Sequence, residues 1–100
     1  MKWVELIRVR SSPGQLDVVL PALRAQLDAL PCESQLLRHG QYDGDVAALL
    51  VWQNGTPHPS REGLLLAQHM QPHGSIDHAV WVPIDPEDED VHRVSLKYDH

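Results

Sequence analysis

The sequence has little positive charge and no long apolar run, and each shortage excludes a class of protein. Its 100 residues include 8 Lys and Arg against 14 Asp and Glu, which gives a net charge of −6. Without a basic cluster, the chain lacks the electrostatic footprint of a nucleic-acid binder and has no attraction for anionic membranes. No apolar run approaches the roughly 20 residues of a membrane span. We therefore expect no nucleic-acid partner and no membrane association.

Cysteine is also scarce, because Cys32 is the only one and no disulfide can form within the chain. A lone cysteine suits a reducing compartment, and the first residues contain no apolar signal-peptide core. We therefore expect a cytoplasmic protein. Cys32 follows Pro31 at the end of a predicted helix, and we interpret it as a partly buried thiol rather than a reactive one.

Two segments have the apolar pattern of strands that are covered on both sides. The length predicts a single domain over residues 1–100. The segment from Lys2 to Arg10 alternates, yet apolar side chains occur on both of its faces. Segment 46–53 is apolar at nearly every position. Since neighbouring residues of a strand point to opposite faces, both faces of this sheet need a covering layer.

Two helices are predicted between the strands. Ser12-Pro13-Gly14-Gln15 predicts a capping box, and apolar residues at helical spacing follow as far as Leu30. Pro21 either kinks this helix or lies in its first turn, with regular helix starting near Asp17. Ser60 is the predicted N-cap of a second, shorter helix, which proline and glycine end after residue 71.

The remaining segments complete the predicted sheet. Glu33–Tyr42 and Asp45–Gln53 are predicted strands, and Asp43-Gly44 between them predicts a type I′ hairpin turn. Residues 75–83 are compatible with a helical turn or a strand, and we favour helix for 75–80. Val91–Tyr98 alternates and is the predicted last strand.

The order β-α-β-β-α-β predicts the ferredoxin-like α+β fold, a four-stranded antiparallel sheet with both helices on one face. The other face carries more apolar surface than a monomer usually exposes. A second copy of the chain would cover it through a two-fold interface. We therefore expect a homodimer in which two sheets pack face to face into an α+β barrel.

Several segments carry a resemblance to one protein family. They are the strand Val4-Glu5-Leu6-Ile7, the pair Pro13-Gly14, a long hairpin whose second strand ends in Trp52, and the segment 67–73, Ala-Gln-His-Met-Gln-Pro-His. On these features the chain resembles the dimeric α+β barrel proteins of the antibiotic-biosynthesis monooxygenase type. That superfamily also includes haem-degrading, decarboxylating and isomerising enzymes, so the fold alone does not fix the activity.

The resemblance implies a small monooxygenase that needs no cofactor and acts on a phenol or quinol-like aromatic compound. The anion of such a substrate itself reacts with oxygen. His69, His73 and Trp52 are the expected catalytic residues, since they could stabilise the phenolate and pack on its ring. Arg8 and Tyr98 would bind the substrate together with Trp52. The structural alternatives are core packing for Trp52 and an ion pair for Arg8.

Two other functions stay open. Haem-degrading relatives share a helix histidine that ligates iron, and His78 falls near that position, although their tryptophan and first-strand asparagine have no counterpart here. The chain could also be a non-catalytic small-molecule-binding or interaction module with a filled cavity. We expect no metal at His69 and His73, because Pro72 disturbs the helical turn between them and no third ligand is evident.

Overall fold

The protein is described by a computed structural model over residues 2–84. Its elements follow the predicted order of strands and helices. They are β1 (Trp3–Arg10), α1 (Leu16–Asp28), β2 (Glu33–Arg38), β3 (Asp45–Trp52), α2 (Arg61–Met70), a 3₁₀ turn (Gln71–His73) and β4 (Ser75–Trp81).

The strands form one sheet in the order β2-β3-β1-β4, and each neighbouring pair is antiparallel. The central pair is in register from Trp3 opposite Trp52 to Arg10 opposite Asp45. This strand order with two helices is the ferredoxin-like arrangement, which confirms the predicted fold class.

Both helices pack on the same face of the sheet. Alternate residues of β1 are buried, beginning with Trp3 and Glu5, while their neighbours Val4 and Leu6 are half-buried on the other face. Helices α1 and α2 supply the apolar side chains that cover the buried face. The core cluster is Ile7, Val9, Val19, Leu23, Leu27, Val46, Ala48, Leu50, Leu66 and Met70.

Residues 75–81 form strand β4, so the predicted helix over 75–80 is wrong. The segment pairs with the free edge of β1, where Ile76 lies opposite Val9 and His78 lies opposite Ile7. Pairing with β1 satisfies backbone N–H and C=O groups that a single helical turn would leave open. The predicted strand Val91–Tyr98 lies outside the described residues.

The start of α1 differs from the predicted capping box at Ser12, which is wrong. The backbone N–H of Gln15 donates to the carbonyl of Ser12 over 3.1 Å, and Gly14 has a φ of 85°. These values fit a type II turn with Pro13 and Gly14 at its centre. The helix begins after Gln15, whose side chain makes no capping hydrogen bond, and Pro21 lies within it beyond the first turn.

The connection from β2 to β3 is longer than the predicted two-residue hairpin. It comprises residues 39–44, so β2 ends earlier than predicted. Gly44 has a φ of 92°, but Asp43 does not have a positive φ, which rules out the predicted type I′ turn. The ring nitrogen Nδ1 of His39 accepts the backbone N–H of Gln41 over 2.9 Å and stabilises the connection instead.

Helix α2 begins as predicted, with Ser60 as its N-cap. The hydroxyl oxygen of Ser60 accepts the backbone N–H of Gly63 over 2.9 Å, which confirms the predicted cap. Both helices are short, and none in residues 2–84 combines the length and apolar character needed to cross a bilayer.

Candidate functional site

A buried carboxylate lies between the sheet and the start of α2. Glu5 belongs to β1, where alternation turns its side chain to the helix-covered face, and it is fully buried. An ionised carboxylate in such a place needs several hydrogen-bond donors. The sequence contained this signal, a charged residue on the apolar face of a strand, but the sequence analysis gave Glu5 no role.

Three hydrogen-bonding groups surround the Glu5 carboxylate. The indole Nε1 of Trp52 donates to Oε1 over 2.8 Å, and the backbone N–H of Ser60 donates to Oε2 over 3.2 Å. The Nε2 atom of His78 lies 2.6 Å from the same Oε2. Because Ser60 caps α2, the positive end of this helix also favours the negative charge. Residues from β1, β3, β4 and α2 therefore meet at one polar cluster.

Gly63 makes room for this cluster. A Cβ atom at this position would overlap Oε2 of Glu5 and would lie 3.0 Å from Cε1 of His78. Gly63 is buried in the first turn of α2. Its lack of a side chain therefore allows the helix to lie directly against the carboxylate and the imidazole.

Two tryptophans form one wall of the cluster. The rings of Trp3 and Trp52 stack with their centroids 5.8 Å apart and an interplanar angle of 24°. Trp3 is buried, and its Nε1 donates to the carbonyl of Asn54 over 3.0 Å. Trp52 is half-buried. The buried Trp3 therefore packs on one face of the half-buried Trp52 ring and fixes its position.

The predicted histidines lie elsewhere. His69 is exposed near the end of α2, and together with His73 it lines a groove on the outer surface of the helices. His69 lies about 12 Å along the helix axis from its start at Arg61. The structure thus brings His69 and His73 together, but it does not bring them to Trp52. Their predicted catalytic role stays a prediction.

Arg8 lies on the opposite face of the sheet from Trp52. Its guanidinium forms an ion pair with Asp45 over 2.6 Å, which is the structural alternative that the sequence left open. The pair borders a shallow groove of about 190 Å³ on the uncovered face, lined also by Leu6 and Leu37. Tyr98, the third predicted substrate-binding residue, lies outside the described residues.

The residues that the structure describes do not fit a metal or a haem. Residues 2–84 contain no group of three or more His, Cys, Asp or Glu side chains arranged for a metal ion. His78 does not fit as a haem ligand, because its Nε2 atom faces Glu5 and it lies on a strand rather than on the predicted helix.

Cys32 is close enough to the cluster to sense its charge. Partial burial raises the pKa of this thiol, and the carboxylates of Glu5 and Glu62 raise it further. The thiol packs beside the hydrophobic core. A raised pKa keeps it protonated at neutral pH, as the interpretation of a non-reactive thiol requires.

Comparison with known proteins identifies the fold. None of the protein-family models matches the chain, and no curated protein matches it. Three solved structures are similar over most of both chains. A protein from Chloroflexus aurantiacus, provisionally described as an antibiotic biosynthesis monooxygenase, has 15% identity and a TM-score of 0.59, covering 85% of this chain and 95% of its own.

The other two structures belong to the same group. A variant of SnoaB, a cofactor-independent oxygenase from Streptomyces nogalater, has 18% identity and a TM-score of 0.54, with 84% and 94% coverage. A protein from Caulobacter crescentus, also provisionally described as an antibiotic biosynthesis monooxygenase, has 16% identity and a TM-score of 0.53, with 84% and 91% coverage. The chain therefore shares the fold of monooxygenase-like proteins, which agrees with the resemblance read from its sequence.

Proposed function

We propose that the chain is a small cofactor-independent monooxygenase acting on a phenol or quinol-like aromatic compound, with His78 as the proton acceptor. One observation carries the proposal: the fully buried Glu5 carboxylate faces a histidine whose side chain is still 13% exposed, beside the indole of Trp52. The fold shared with SnoaB, itself a cofactor-independent oxygenase, supports the same reaction class.

The chemistry requires a base more than a cofactor. A phenol reacts with oxygen once it has lost its hydroxyl proton, and His78 would accept that proton while Glu5 stabilises the resulting imidazolium. The phenolate then supplies the electrons. A phenol with an open ring position and one O₂ give a quinone and one water, so atoms and electrons balance without a flavin or a metal.

Trp52 would bind the substrate ring. Its half-buried indole offers a flat apolar surface, on which the aromatic ring of a substrate would stack favourably. The bond from its Nε1 to Glu5 fixes the indole relative to the base. Substrate ring and proton acceptor would then be held in one geometry, which is how positioning lowers a barrier.

The test measures oxygen consumption with a panel of phenols and quinols, in air and without oxygen. We expect His78→Gln to lower the rate by about 100-fold or more, the usual contribution of a general base. The comparison variant replaces both His69 and His73 with Gln. Loss of activity in that double variant, with His78→Gln active, would transfer catalysis to the predicted histidines. Equal substrate loss with and without oxygen would remove the oxygenase proposal.

A non-catalytic binding or interaction module is the second candidate. It is supported by the burial of the cluster, since Glu5 is fully buried and the side chain of His78 is only 13% exposed. In that case the buried cluster only stabilises the fold. Small phenols added to labelled protein would then shift no resonance near Trp52, and no member of the panel would be consumed.

Haem binding through His78 is the least supported alternative, since Nε2 of the ring is bonded to Glu5 and the residue lies on a strand rather than on a helix. Hemin titration tests it directly. We expect no shift of the Soret band that depends on His78. A shift abolished by His78→Ala would overturn this expectation.

We also propose that two copies form a homodimer through the uncovered face of the sheet. That face carries half-buried Leu6, Leu49 and Val51 and the more exposed Leu37. An obligate interface of this kind would bury on the order of 2,000 Å² in total. A cytoplasmic location belongs to the same proposal, since the lone Cys32 needs no oxidising compartment.

A further inference from the structure

The strongest unexplained feature is the complete hydrogen bonding of a carboxylate with no access to water. Glu5 is 0% exposed, yet both of its oxygens receive donors that cannot accept. The indole N–H of Trp52 reaches Oε1, and the backbone N–H of Ser60 reaches Oε2. Indole and backbone N–H groups only donate, so both oxygens act as acceptors, and these bonds together with the positive end of α2 favour the carboxylate anion over the protonated acid.

This arrangement determines which nitrogen of His78 carries a proton. Nε2 lies 2.6 Å from Oε2, the oxygen that already accepts from Ser60. An anionic oxygen leaves Nε2 the role of donor, so the neutral ring carries its proton there. In the neutral ring Nδ1 is then the unprotonated nitrogen, whose lone pair can accept a hydrogen bond or a proton.

The second ring nitrogen of His78, Nδ1, lies on the side of the ring away from Glu5. Within residues 2–84, Nδ1 of His78 makes no hydrogen bond. No buried side-chain nitrogen or oxygen in the same range lacks a partner, so Nδ1 reaches the surface of the described residues. A Cβ atom at Gly63 would lie only 3.0 Å from Cε1 of the ring, so the backbone of α2 passes close to that edge.

We infer that Glu5 is a positioning residue, which holds Nε2–H of His78 and so presents Nδ1 as the nitrogen that accepts a proton from a ligand hydroxyl. This inference rests on the proposed function and deepens it, because it assigns the proton transfer to one atom. An acidic hydroxyl such as that of a phenol, approaching along the face of Trp52, is the ligand chemistry that Nδ1 recognises. Proton transfer forms the Nδ1–H bond as the ligand O–H bond breaks, and no electron leaves the protein.

The test is nuclear magnetic resonance of the histidine rings in protein labelled with nitrogen-15, at mildly alkaline pH. For His78 we expect protonated Nε2, unprotonated Nδ1 and a ring proton that exchanges slowly with water. Glu5→Gln should accelerate this exchange about tenfold or more, as expected for loss of a charge-assisted hydrogen bond. A proton on Nδ1 of the wild-type ring, or an exchange rate unchanged by Glu5→Gln, would overturn the inference.

Glu62→Gln is the matched control. Glu62 lies in the first turn of α2 and acts on Cys32 as Glu5 does, but it makes no hydrogen bond to His78 within the described residues. Its replacement removes the same charge and should leave the His78 ring proton unchanged. An equal effect of Glu62→Gln would mean that charge, not positioning, controls the ring, and would overturn the inference.

Two further measurements separate folding and turnover from positioning. Trp52→Phe removes the donor on Oε1 but keeps the bond to His78, so the slow ring proton should persist even if Glu5→Gln does not fold.

With a substrate, Glu5→Gln should lower kcat more than it raises KM. If the wild type shows no turnover but keeps the slowly exchanging ring proton of His78, the proposed function is refuted and the role of Glu5 is not. If the wild type is active but its His78 ring lacks that proton, the role of Glu5 is refuted and the proposed function is not.

Discussion

At the scale of single residues, Gly63 gives the sharpest test of the cluster. Alanine normally stabilises a helix relative to glycine by up to about 1 kcal/mol. At Gly63 the added methyl group would overlap the Glu5 carboxylate and crowd His78. We therefore predict that Gly63→Ala destabilises the protein by about 1–3 kcal/mol, the range for overpacked interiors, in urea denaturation monitored by circular dichroism.

Gly40 provides the control for this substitution. A Cβ atom there would meet no atom within 4 Å, and the residue has no positive φ. Gly40→Ala should leave the free energy of unfolding within about 0.5 kcal/mol of the wild-type value, as for most surface changes. A Gly63→Ala variant as stable as Gly40→Ala would contradict the packing described for the cluster.

Cys32 allows a prediction about pH. Burial and the nearby carboxylates raise its pKa, so at a given alkaline pH it forms less thiolate than an ordinary thiol. Alkylation by iodoacetamide should therefore be slower for the folded chain than for glutathione near neutral pH, and should accelerate only above the usual thiol range. Cys32 is the only cysteine, so the total label reports this site alone.

The raised pKa of Cys32 also makes the stability of the fold depend on pH. The unfolded chain loses its thiol proton at a lower pH than the folded chain does, so this group stabilises the unfolded state as the pH rises above the ordinary thiol pKa. The free energy of unfolding should fall slightly there, and Cys32→Ser should remove this part of the fall. Fast alkylation of the folded chain at neutral pH would contradict the buried position of the thiol.

At the scale of elements, two ion pairs tie β1 to its neighbours and differ in burial. Arg8 and Asp45 are 2.6 Å apart, with Asp45 14% exposed, whereas Arg10 and Asp77 are 2.8 Å apart and half exposed. We predict that Asp45→Asn costs about 1–2 kcal/mol in urea denaturation, because the charge-assisted bond is partly shielded. Asp77→Asn should cost about 0.5 kcal/mol or less.

Salt distinguishes the two pairs in a second way. Mobile ions screen exposed charges more than shielded ones, so added salt should abolish the small effect of Asp77→Asn and keep most of the effect of Asp45→Asn. Equal losses for both variants, with the same salt dependence, would mean that burial does not separate the pairs.

The elements also differ in how well their sequences predicted them. Segment 46–53 was predictable as a strand because an apolar run of this length fits the centre of a sheet. Ser60 was predictable as a cap because its hydroxyl bonds within the same helix turn. Segment 75–81 was not, because its strand form depends on pairing with β1, which is far away in sequence. The turn types at Gly14 and Gly44 were not predictable either, because several types of turn place a glycine at a positive φ and the sequence does not distinguish them.

At the scale of the whole molecule, the uncovered sheet face makes the oligomeric state testable. Leu49→Lys places a charge at the centre of that face, opposite Leu6 in the register of β1 and β3. We predict that this variant sediments as a monomer at micromolar concentration, while the wild-type chain sediments as a dimer, because a buried unpaired charge opposes association.

Leu64→Lys is the control on the helix side of the molecule. Leu64 is 54% exposed on α2, so a lysine there should change neither the fold nor the mass in solution. A wild-type chain that sediments as a monomer at the same concentration would refute the dimer. Dissociation by Leu64→Lys alone would move the interface to the helices.

The candidate site shows where reasoning from the sequence ended. Trp52 was predicted to pack on a substrate ring, which stays a prediction, and the structure adds that its indole donates a hydrogen bond to Glu5. Glu5 and His78 were not joined, because their separation of 73 positions hides a contact that only the sheet creates. His69 and His73 were chosen because segment 67–73 resembles a stretch of the monooxygenase family, and the structure places both on a groove at the outer surface of the helices.

The sequence by itself determined the first three strands, the two helices between and after them, and the apolar character of both sheet faces, because these follow from local periodicity and composition. Only the tertiary structure decided that Glu5, Trp52, Ser60 and His78 meet, and that β4 closes the edge of β1. The physical reason is range: periodicity acts over a few neighbouring residues, whereas a buried carboxylate collects its donors from whichever strands and helices the fold brings beside it.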